Sequence, residues 1–245
     1  MPTPVRPRND PRLYDDLAEQ WWQPNGAFVM LHWLARARAA LIPPATRAGA
    51  VLVDIGCGGG VMAPHLAGKG YRHVGVDFTG SALRQAAAHG VTVVQGDATA
   101  LPLADGCADV VAAGELFEHV PDLSAAVREA CRVLRPGGLL VADTVNATWA
   151  ARLVAVWLGE RIPGGAPPGI HDPALFVPPK RLIAECARHG VALQVRGIRP
   201  AVGSMLRWLL RRQGEVPMVA TRSTAVLYQA WGVRRPWQET VKEAG

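Results

Sequence analysis

The chain contains 245 residues, 49% of them hydrophobic and 19% charged, with a formal net charge of +6. This composition is typical of one globular domain with a large core and excludes a disordered protein. No apolar run is long enough to span a membrane, and the basic, proline-rich start lacks the apolar segment of a secretory signal. The cysteines form no CxxC pair, which argues against a zinc site or a disulfide framework. We therefore expect a reduced, cytoplasmic protein.

The first nine residues are expected to form a loose tail, followed by N-terminal helices within 10–48. One helix is predicted over 10–22, where Asp10 and the proline after it are start signals. A second helix is predicted over 27–42, because two prolines follow directly and a helix usually ends before proline.

Between residues 49 and 146, short apolar runs alternate with helical patterns. The helix at 122–134 is predicted from apolar residues that recur on one face. Strand–helix alternation of this kind indicates an α/β fold with a Rossmann-like, doubly wound sheet. Strands are predicted at 50–56, 73–77, 91–97, 108–114 and 139–145, with "RPGG" at 135–138 read as the turn into the last of them.

The alternation breaks after residue 146. Residues 147–178 contain an apolar helix and then a proline- and glycine-rich stretch, which we interpret as a lid or acceptor-binding insertion of the same single domain. A helix at 179–189 and strands near 191–198 and 223–230 are predicted in the last part of the sheet, 179–245.

The helix of this insertion carries Trp149 and Trp157 beside Arg152 and Arg161. We expect it to pack on the core, with contact to a membrane surface as the alternative. A later arginine cluster, at 207, 211 and 212, is interpreted as a solvated helix face. It has few interleaved aromatic residues, so we expect no nucleic-acid partner. The sequence does not indicate an oligomeric state.

The segment "VDIGCGGG" at 53–60 follows the first predicted strand and opens a helix. Gly56 and Gly58 permit a tight turn and a close approach of a ligand to the backbone. Asp77 ends the next strand, where nucleotide-binding folds place a ribose-binding acid. The third glycine of the dinucleotide fingerprint is replaced by Val61, which disfavours NAD. Asp54 precedes the loop and is suited to hold its N–H groups or to face a cationic ligand.

Four segments, "VDIGCGGG", "GVDFTGSAL", "GDATALPLADGCADVV" and "CRVLRPGGLL", resemble the class I S-adenosylmethionine-dependent methyltransferases over residues 50–145. Three further segments, "WWQPNGAFVMLH", "GELFEHVPD" and "GIHDPALFVPPKRL", resemble the ubiquinone-biosynthesis O-methyltransferases over nearly the whole chain. The resemblance implies an S-adenosylmethionine cofactor and methylation of a hydroxyl on an aromatic small molecule. By the same resemblance, cofactor contacts are expected from Arg38, Gly56, Cys57, Gly58, Asp77, Phe78, Asp97, Ala98 and Leu116.

The stretch "ELFEHVPD" brings Glu115, Glu118 and His119 to one side if it forms a helical turn. Three interpretations remain open. Two carboxylates and an imidazole are suitable ligands for Mg, Mn or Zn, and the resemblance implies such an ion. Alternatively, His119 or Glu118 is a general base without metal, or the stretch is a polar turn. We prefer metal or base to the polar turn, because Glu115 adds a third ligand, and we prefer metal to base.

Other candidates are weaker. His171 and Asp172 are interpreted as an acceptor-binding pair or as a surface turn, since Asp-Pro is a turn signal. Asn146 is expected near the cofactor or acceptor, or as a helix cap. Four further histidines, at 65, 73, 89 and 189, are expected at the surface. A C- or N-methyltransferase of another metabolite is the alternative function.

Overall fold

Eight strands form one mixed sheet in the order β3-β2-β1-β4-β5-β8-β6-β7. The computed structural model describes residues 6–162 and 165–235. The strands are β1 Val51–Ile55, β2 Arg72–Asp77, β3 Thr92–Gln95, β4 Ala108–Gly114, β5 Leu134–Val145, β6 Gln194–Pro200, β7 Met218–Thr221 and β8 Leu227–Val233. Strands β1 to β5 are parallel, whereas β8 runs antiparallel between β5 and β6. The expected doubly wound α/β sheet is confirmed.

The helical segments lie on both sides of the central strands. They are α1 Arg12–Asp16, α2 Val29–Ala39, α3 Ala63–Leu66, α4 Gly80–Ala88, α5 Leu123–Val133, α6 Trp149–Ala151, α7 Pro179–Arg188 and α8 Val202–Arg211, with a π-helical turn at Arg152–Leu158 and 3₁₀ turns at Ala18–Gln20, Phe117–His119 and Gly159–Arg161. The apolar sequence of β4, "ADVVAAG", follows from burial on both faces of the sheet. No helix in the described part of the chain is long and apolar enough to cross a membrane.

The predicted helix over 10–22 is wrong in extent, because α1 ends at Asp16 and a 3₁₀ turn follows. Tertiary contacts cause the break: Trp21 is buried and its ring lies 3.9 Å from that of Phe28, centroid to centroid. The same Trp21 ring covers the glycine loop so closely that a Cβ added at Gly59 would lie 2.6 Å from it. Packing of this aromatic residue therefore overrides the local helical pattern.

Two further expectations need correction. Residues 135–138, predicted to be a turn, belong to β5, which starts at Leu134. The pairing of β5 with β4 shifts register at this point, between Ala108 and Val110 of β4. The end of the sheet has three strands where two were predicted, since β7 is a four-residue edge strand next to β6. Such a short strand carries little periodicity to reveal it.

The loose tail is also wrong for residues 6–9, while residues 1–5 lie outside the described part. Arg6 Nε donates to Asp16 Oδ2 over 2.8 Å, and Arg8 donates to both carboxylate oxygens of Glu160. The Asn9 N–H donates to the Gly169 carbonyl over 2.8 Å. We call residues 6–10 the N-terminal strap, because they connect α1 to the insertion after β5.

A buried ion pair joins the N-terminal helices to the sheet. Arg38 on α2 donates through Nη1 to Asp143 Oδ1 on β5 over 2.5 Å, and both side chains are buried. The guanidinium lies directly against the backbone of Gly114, at the end of β4, where an added Cβ would overlap it. Glycine at 114 is therefore required by this close approach.

Gly114→Ala should displace Arg38 from Asp143 and leave buried charges without partners. We expect the free energy of unfolding to fall by about 3 to 5 kcal/mol, the usual cost of breaking a buried pair. Urea denaturation measures it. Gly203→Ala on α8 is the matched control, since no atom lies within 4 Å of the added Cβ, and it should change stability by less than about 1 kcal/mol. Equal stability of the Gly114→Ala variant and the wild type would contradict this account.

Candidate active site

A cavity of about 680 Å³ opens at the carboxyl ends of β1, β2 and β4. In doubly wound sheets the chain order reverses between the neighbours of β1, and ligands bind in the crevice formed there. The N-terminal helices and the insertion 147–178 provide the rest of the wall. A second cavity, of about 520 Å³, lies between α2, α3 and the segment before β7 and contains none of the predicted site residues.

The glycine loop forms one side of the main cavity. Gly56 and Gly58 have φ of 68° and 51°, which favour glycine, and the N–H groups of Gly56 and Cys57 both donate to the Val76 carbonyl. A Cβ at Gly56 would lie 2.8 Å from Leu116 Cδ1. These five positions all line the cavity, and all except Val76 were predicted from the sequence.

Asp77 lies at the end of β2 beside the loop. Its Oδ2 accepts the Gly58 N–H and its Oδ1 accepts the Thr79 N–H, each over 2.8 Å. Burial raises the pKa of the Asp77 carboxyl, and these two N–H donors partly oppose that effect. Phe78, next along the chain, is 63% exposed and also lines the cavity.

Asp97 and Ala98 lie on the cavity wall after β3. Asp97 Oδ1 accepts both the N–H and the hydroxyl of Thr99, each over 2.7 Å, so the carboxylate is held in a local turn. Asp54 is buried at the end of β1 and lines the cavity, and its Oδ2 lies 3.3 Å from His73 Nε2. His73 was expected at the surface. It is instead held against Asp54 because β2 pairs with β1.

The floor of the cavity carries polar atoms that lack partners among the described residues. They are Arg38 Nε, Trp21 Nε1 and Glu115 Oε1, each buried and each from a cavity-lining residue. Arg38 uses Nη1 for Asp143, so its Nε–H remains as a donor for a ligand. Unpaired buried donors and acceptors are costly, and a ligand with a carboxylate and an ammonium group would satisfy both kinds.

The stretch "ELFEHV" does not form a single helical turn that contains Glu115, Glu118 and His119. Glu115 has φ of 48° and lies before a 3₁₀ turn that contains Glu118 and His119. Glu115 and His119 line the cavity, whereas Glu118 is fully buried behind it and accepts the Thr144 hydroxyl through Oε2 over 2.6 Å. Burial raises the pKa of both carboxyls, and their proximity raises that of Glu115 further.

The proposed metal ligands therefore do not converge in this structure. Within residues 6–162 and 165–235, no group of three or more His, Cys, Asp or Glu side chains is placed to hold one ion. The left-handed conformation at Glu115 and the 3₁₀ turn after it differ from the single helical turn that would have placed all three side chains on one side. As placed, this set does not fit a divalent metal, and we derive no chemical step through one.

His119 is paired with two residues that the sequence did not connect to it. Its Nδ1 lies 2.7 Å from Asn9 Oδ1, and its ring stacks on His171 with centroids 5.4 Å apart. Burial lowers the pKa of His119 to about 3 and that of His171 to about 4. Both imidazoles are therefore neutral near pH 7. No sequence pattern indicated Asn9, which lies in the segment expected to be a loose tail.

Of the three residues predicted to bind the acceptor, only one lines the cavity. His171 lines the cavity and its carbonyl accepts Arg8 Nη1 over 2.6 Å. Asp172 accepts the Ala174 N–H in a local turn, and Asn146 donates to the Thr224 carbonyl over 2.7 Å. Neither of these two side chains is among those that line the cavity.

The insertion carries its large apolar residues outward. Ala151 and neighbouring small residues of the insertion pack on Phe176 and on the end of β5. Trp149 and Trp157, in contrast, are 77% and 55% exposed. Val154 and Ala155, which lie between the two tryptophans in sequence, line the cavity. The segment therefore packs on the core with one face only, and its tryptophans remain outside.

Comparison with known proteins agrees with this arrangement. A methyltransferase domain model matches residues 53–142. The ubiquinone biosynthesis O-methyltransferase of Cupriavidus pinatubonensis is 37% identical over 207 residues, covering 80% of this chain and 83% of the relative. The enzyme of the same name from Ralstonia nicotianae is 35% identical over 221 residues, covering 85% and 92%.

Among solved structures, an S-adenosylmethionine-dependent methyltransferase of Thermotoga maritima superposes with a TM-score of 0.66 at 19% identity, covering 91% of this chain and 98% of the other. At that identity the likeness establishes the fold alone. The sequence relatives and the fold together identify the chain as an S-adenosylmethionine-dependent methyltransferase. It belongs to the family of the ubiquinone biosynthesis O-methyltransferases.

Proposed function

We propose that this enzyme transfers the methyl group of S-adenosylmethionine to a hydroxyl of an aromatic small molecule, of the catechol, quinone-precursor or polyphenol type. The observation that carries the proposal is the pair of neutral, stacked imidazoles, His119 and His171, on the wall of the cavity that contains the glycine loop. The name that these relatives share, ubiquinone biosynthesis O-methyltransferase, supports an aromatic hydroxyl as the acceptor.

The cofactor is proposed to occupy the side of the cavity next to the glycine loop. Its ribose hydroxyls would donate to Asp77, and its adenine would lie between Phe78 and the Asp97–Ala98 segment. Its carboxylate and ammonium groups would use the unpaired Arg38 Nε and Glu115 Oε1 atoms on the floor. The bound cofactor supplies a methyl group activated by the sulfonium.

The acceptor is proposed to lie beyond the sulfonium, between His119 and His171. In the transfer step the acceptor oxygen would form a bond to the methyl carbon while the carbon–sulfur bond breaks, which would leave S-adenosylhomocysteine. His119 would take the hydroxyl proton. A weak, neutral base suffices, because the hydroxyl becomes strongly acidic as its oxygen bonds to carbon. The apolar walls, which include Val145, Ile170 and Leu227, exclude water and suit an aromatic ring.

Peripheral contact with a lipid bilayer is proposed for the insertion. Trp149 and Trp157 are exposed on the segment whose Val154 and Ala155 reach the cavity, and Arg161 lies over the Trp157 ring, 5.2 Å from its centroid. Exposed tryptophan beside arginine suits an anionic bilayer surface. An acceptor held in a bilayer would then enter the cavity from that side.

The acceptor class is tested by methyl transfer from S-adenosylmethionine to vicinal catechols and to phenols without a vicinal hydroxyl. We expect turnover of the catechols in untreated enzyme and after EDTA treatment, because the described residues form no metal-ligand set. Turnover abolished by EDTA and restored by Mg, Mn or Zn would contradict the metal-independent base. Methylation only of nitrogen or carbon acceptors would contradict the proposed function.

The same assay tests the bilayer contact when a catechol with a long alkyl tail is presented in anionic vesicles. Replacing Trp149 and Trp157 together by alanine should lower turnover of the vesicle-held catechol about tenfold or more and leave turnover of a water-soluble catechol unchanged. Equal loss for both acceptors would show that the tryptophans affect the fold or the cavity instead.

His171 should make stability depend on pH. Its pKa is about 4 in the folded protein against an ordinary value of 6.5, so below pH 6.5 the unfolded chain takes up a proton that the folded chain does not. Relative to His171→Gln, the wild type should therefore lose about 3 kcal/mol of stability between pH 6.5 and 4 and nothing above pH 7. Urea denaturation of both proteins across this range measures the difference. A difference that stays constant would contradict the buried, neutral imidazole.

A further inference from the structure

The second cavity, of about 520 Å³, has a lining of its own. None of the described residues lines both this cavity and the main one. Flat side chains form much of its wall, and they come from the segment before α2, from α2, from α3 and from the segment before β7: Trp22, Pro24, Trp33, Pro64 and Pro217. Flat apolar walls of this kind suit a planar aromatic ligand.

The polar side chains of the second cavity present more hydrogen-bond donors than acceptors. Arg36 donates to Glu215 through Nη1, and its other N–H groups have no partner among the described residues. The imidazole of His65 likewise makes no hydrogen bond within the described ranges. Burial lowers the pKa of His65, and nearby Arg36, His32 and Arg38 lower it further, which indicates a positive potential. Glu215 is the one carboxylate among the described lining residues, so an anionic group matches this cavity.

The ion pair of Arg36 and Glu215 lies at the solvent side of the second cavity. The two side chains are 64% and 63% exposed. Exposed ion pairs contribute little to stability, so Glu215 can leave Arg36 at small cost. A ligand carboxylate could then accept from the Arg36 guanidinium in its place, with an aromatic ring against Trp22 and Trp33.

Trp22 connects the second cavity to the glycine loop. Its Nε1 donates to the Gly59 carbonyl over 2.9 Å. A second link passes through His32, whose Nε2 lies 2.8 Å from the carbonyl of Trp21, the residue that covers the same loop. The carbonyl can only accept, so His32 Nε2 carries the hydrogen of this contact. A ligand packed on Trp22 would restrict its indole and would order the loop through the Gly59 hydrogen bond.

We propose that the second cavity binds a small aromatic carboxylate, which pairs with Arg36 in place of Glu215 and tightens cofactor binding through Trp22. The two ligands are then coupled, and each must change the Kd of the other by the same factor. The inference goes beyond the proposed methyl transfer. It depends on no acceptor, so it stands or falls by its own test.

Binding is measured by calorimetry on the full chain saturated with S-adenosylhomocysteine. The probes are naphthalene-2-carboxylate and, as the neutral match, naphthalene-2-carboxamide. Arg36→Gln should weaken binding of the carboxylate about tenfold or more, the usual effect of losing a charge-assisted hydrogen bond. Glu215→Gln should tighten it about 2- to 5-fold, because the variant removes the competing carboxylate. Neither variant should change the Kd of the amide. Arg207→Gln on α8, outside the cavity lining, is the matched control and should change nothing.

The coupling is measured as the Kd of S-adenosylhomocysteine with and without saturating naphthalene-2-carboxylate. We expect the carboxylate to tighten cofactor binding about fivefold or more in the wild type. Trp22→Phe keeps an aromatic wall but removes the donor to the Gly59 carbonyl. This variant should still bind the carboxylate and should lose the coupling.

Four outcomes would overturn the proposal. The carboxylate fails to bind the wild type at millimolar concentrations, or catechol displaces it, which would place it in the main cavity. Glu215→Gln weakens carboxylate binding as Arg36→Gln does, which would show that the ion pair only maintains the fold of this region. Finally, the Kd of S-adenosylhomocysteine is indifferent to the carboxylate, or the coupling persists in Trp22→Phe, which would exclude the connection through Trp22.

Discussion

The Arg38–Asp143 ion pair is the interaction on which the geometry of the cavity depends. Both side chains are buried, so each charge has lost its hydration and depends on the other. The pair fixes α2 against the end of β5, and it requires glycine at 114, because any side chain there would overlap the guanidinium. Directly after that glycine the chain turns through the left-handed Glu115, whose N–H donates to the Asp143 carbonyl. One ion pair therefore sets both the floor of the cavity and the start of the "ELFEHV" stretch.

The N-terminal segment provides the opposite wall. Tyr14, Trp21 and Phe28 stack on one another, and Trp21 covers Gly58 and Gly59 from outside the sheet. A cofactor in the loop would thus be enclosed by the sheet on one side and by this aromatic group on the other. The enclosure removes water, which strengthens electrostatic contacts inside the cavity and keeps the two histidines neutral.

The sequence predicted well those parts of the site that depend on local backbone rules. The glycines of the loop were predictable because left-handed turns and close approaches require glycine, and Asp77 because the end of β2 lies beside the first loop in this fold. The sheet was also predictable from a local pattern, the alternation of strands and helices along the chain. Arg38 was placed through the family resemblance alone, and its ion pair with a strand 105 residues later has no local signal.

The parts that failed depend on long-range packing. Glu118 lies only three residues after Glu115, yet its side chain is buried in the core, where Thr144 of β5 is its partner. Asn9 was assigned to a loose tail because proline and arginine surround it, whereas its partners lie on the insertion and on the "ELFEHV" stretch. A helical pattern was likewise overridden at 10–22 by burial of Trp21. In each case the deciding contact joins segments that are distant in the chain.

We propose that one cavity holds the cofactor at the glycine loop and the acceptor at His119. A crystal structure of the enzyme with S-adenosylhomocysteine and catechol would show both sites at once. We expect the ribose hydroxyls to donate to Asp77 and an acceptor oxygen to lie within about 3.2 Å of His119 Nε2, on the far side of the sulfur from the adenosine. A catechol whose oxygens face away from His119, or a cofactor outside this cavity, would show that the proposed arrangement is wrong.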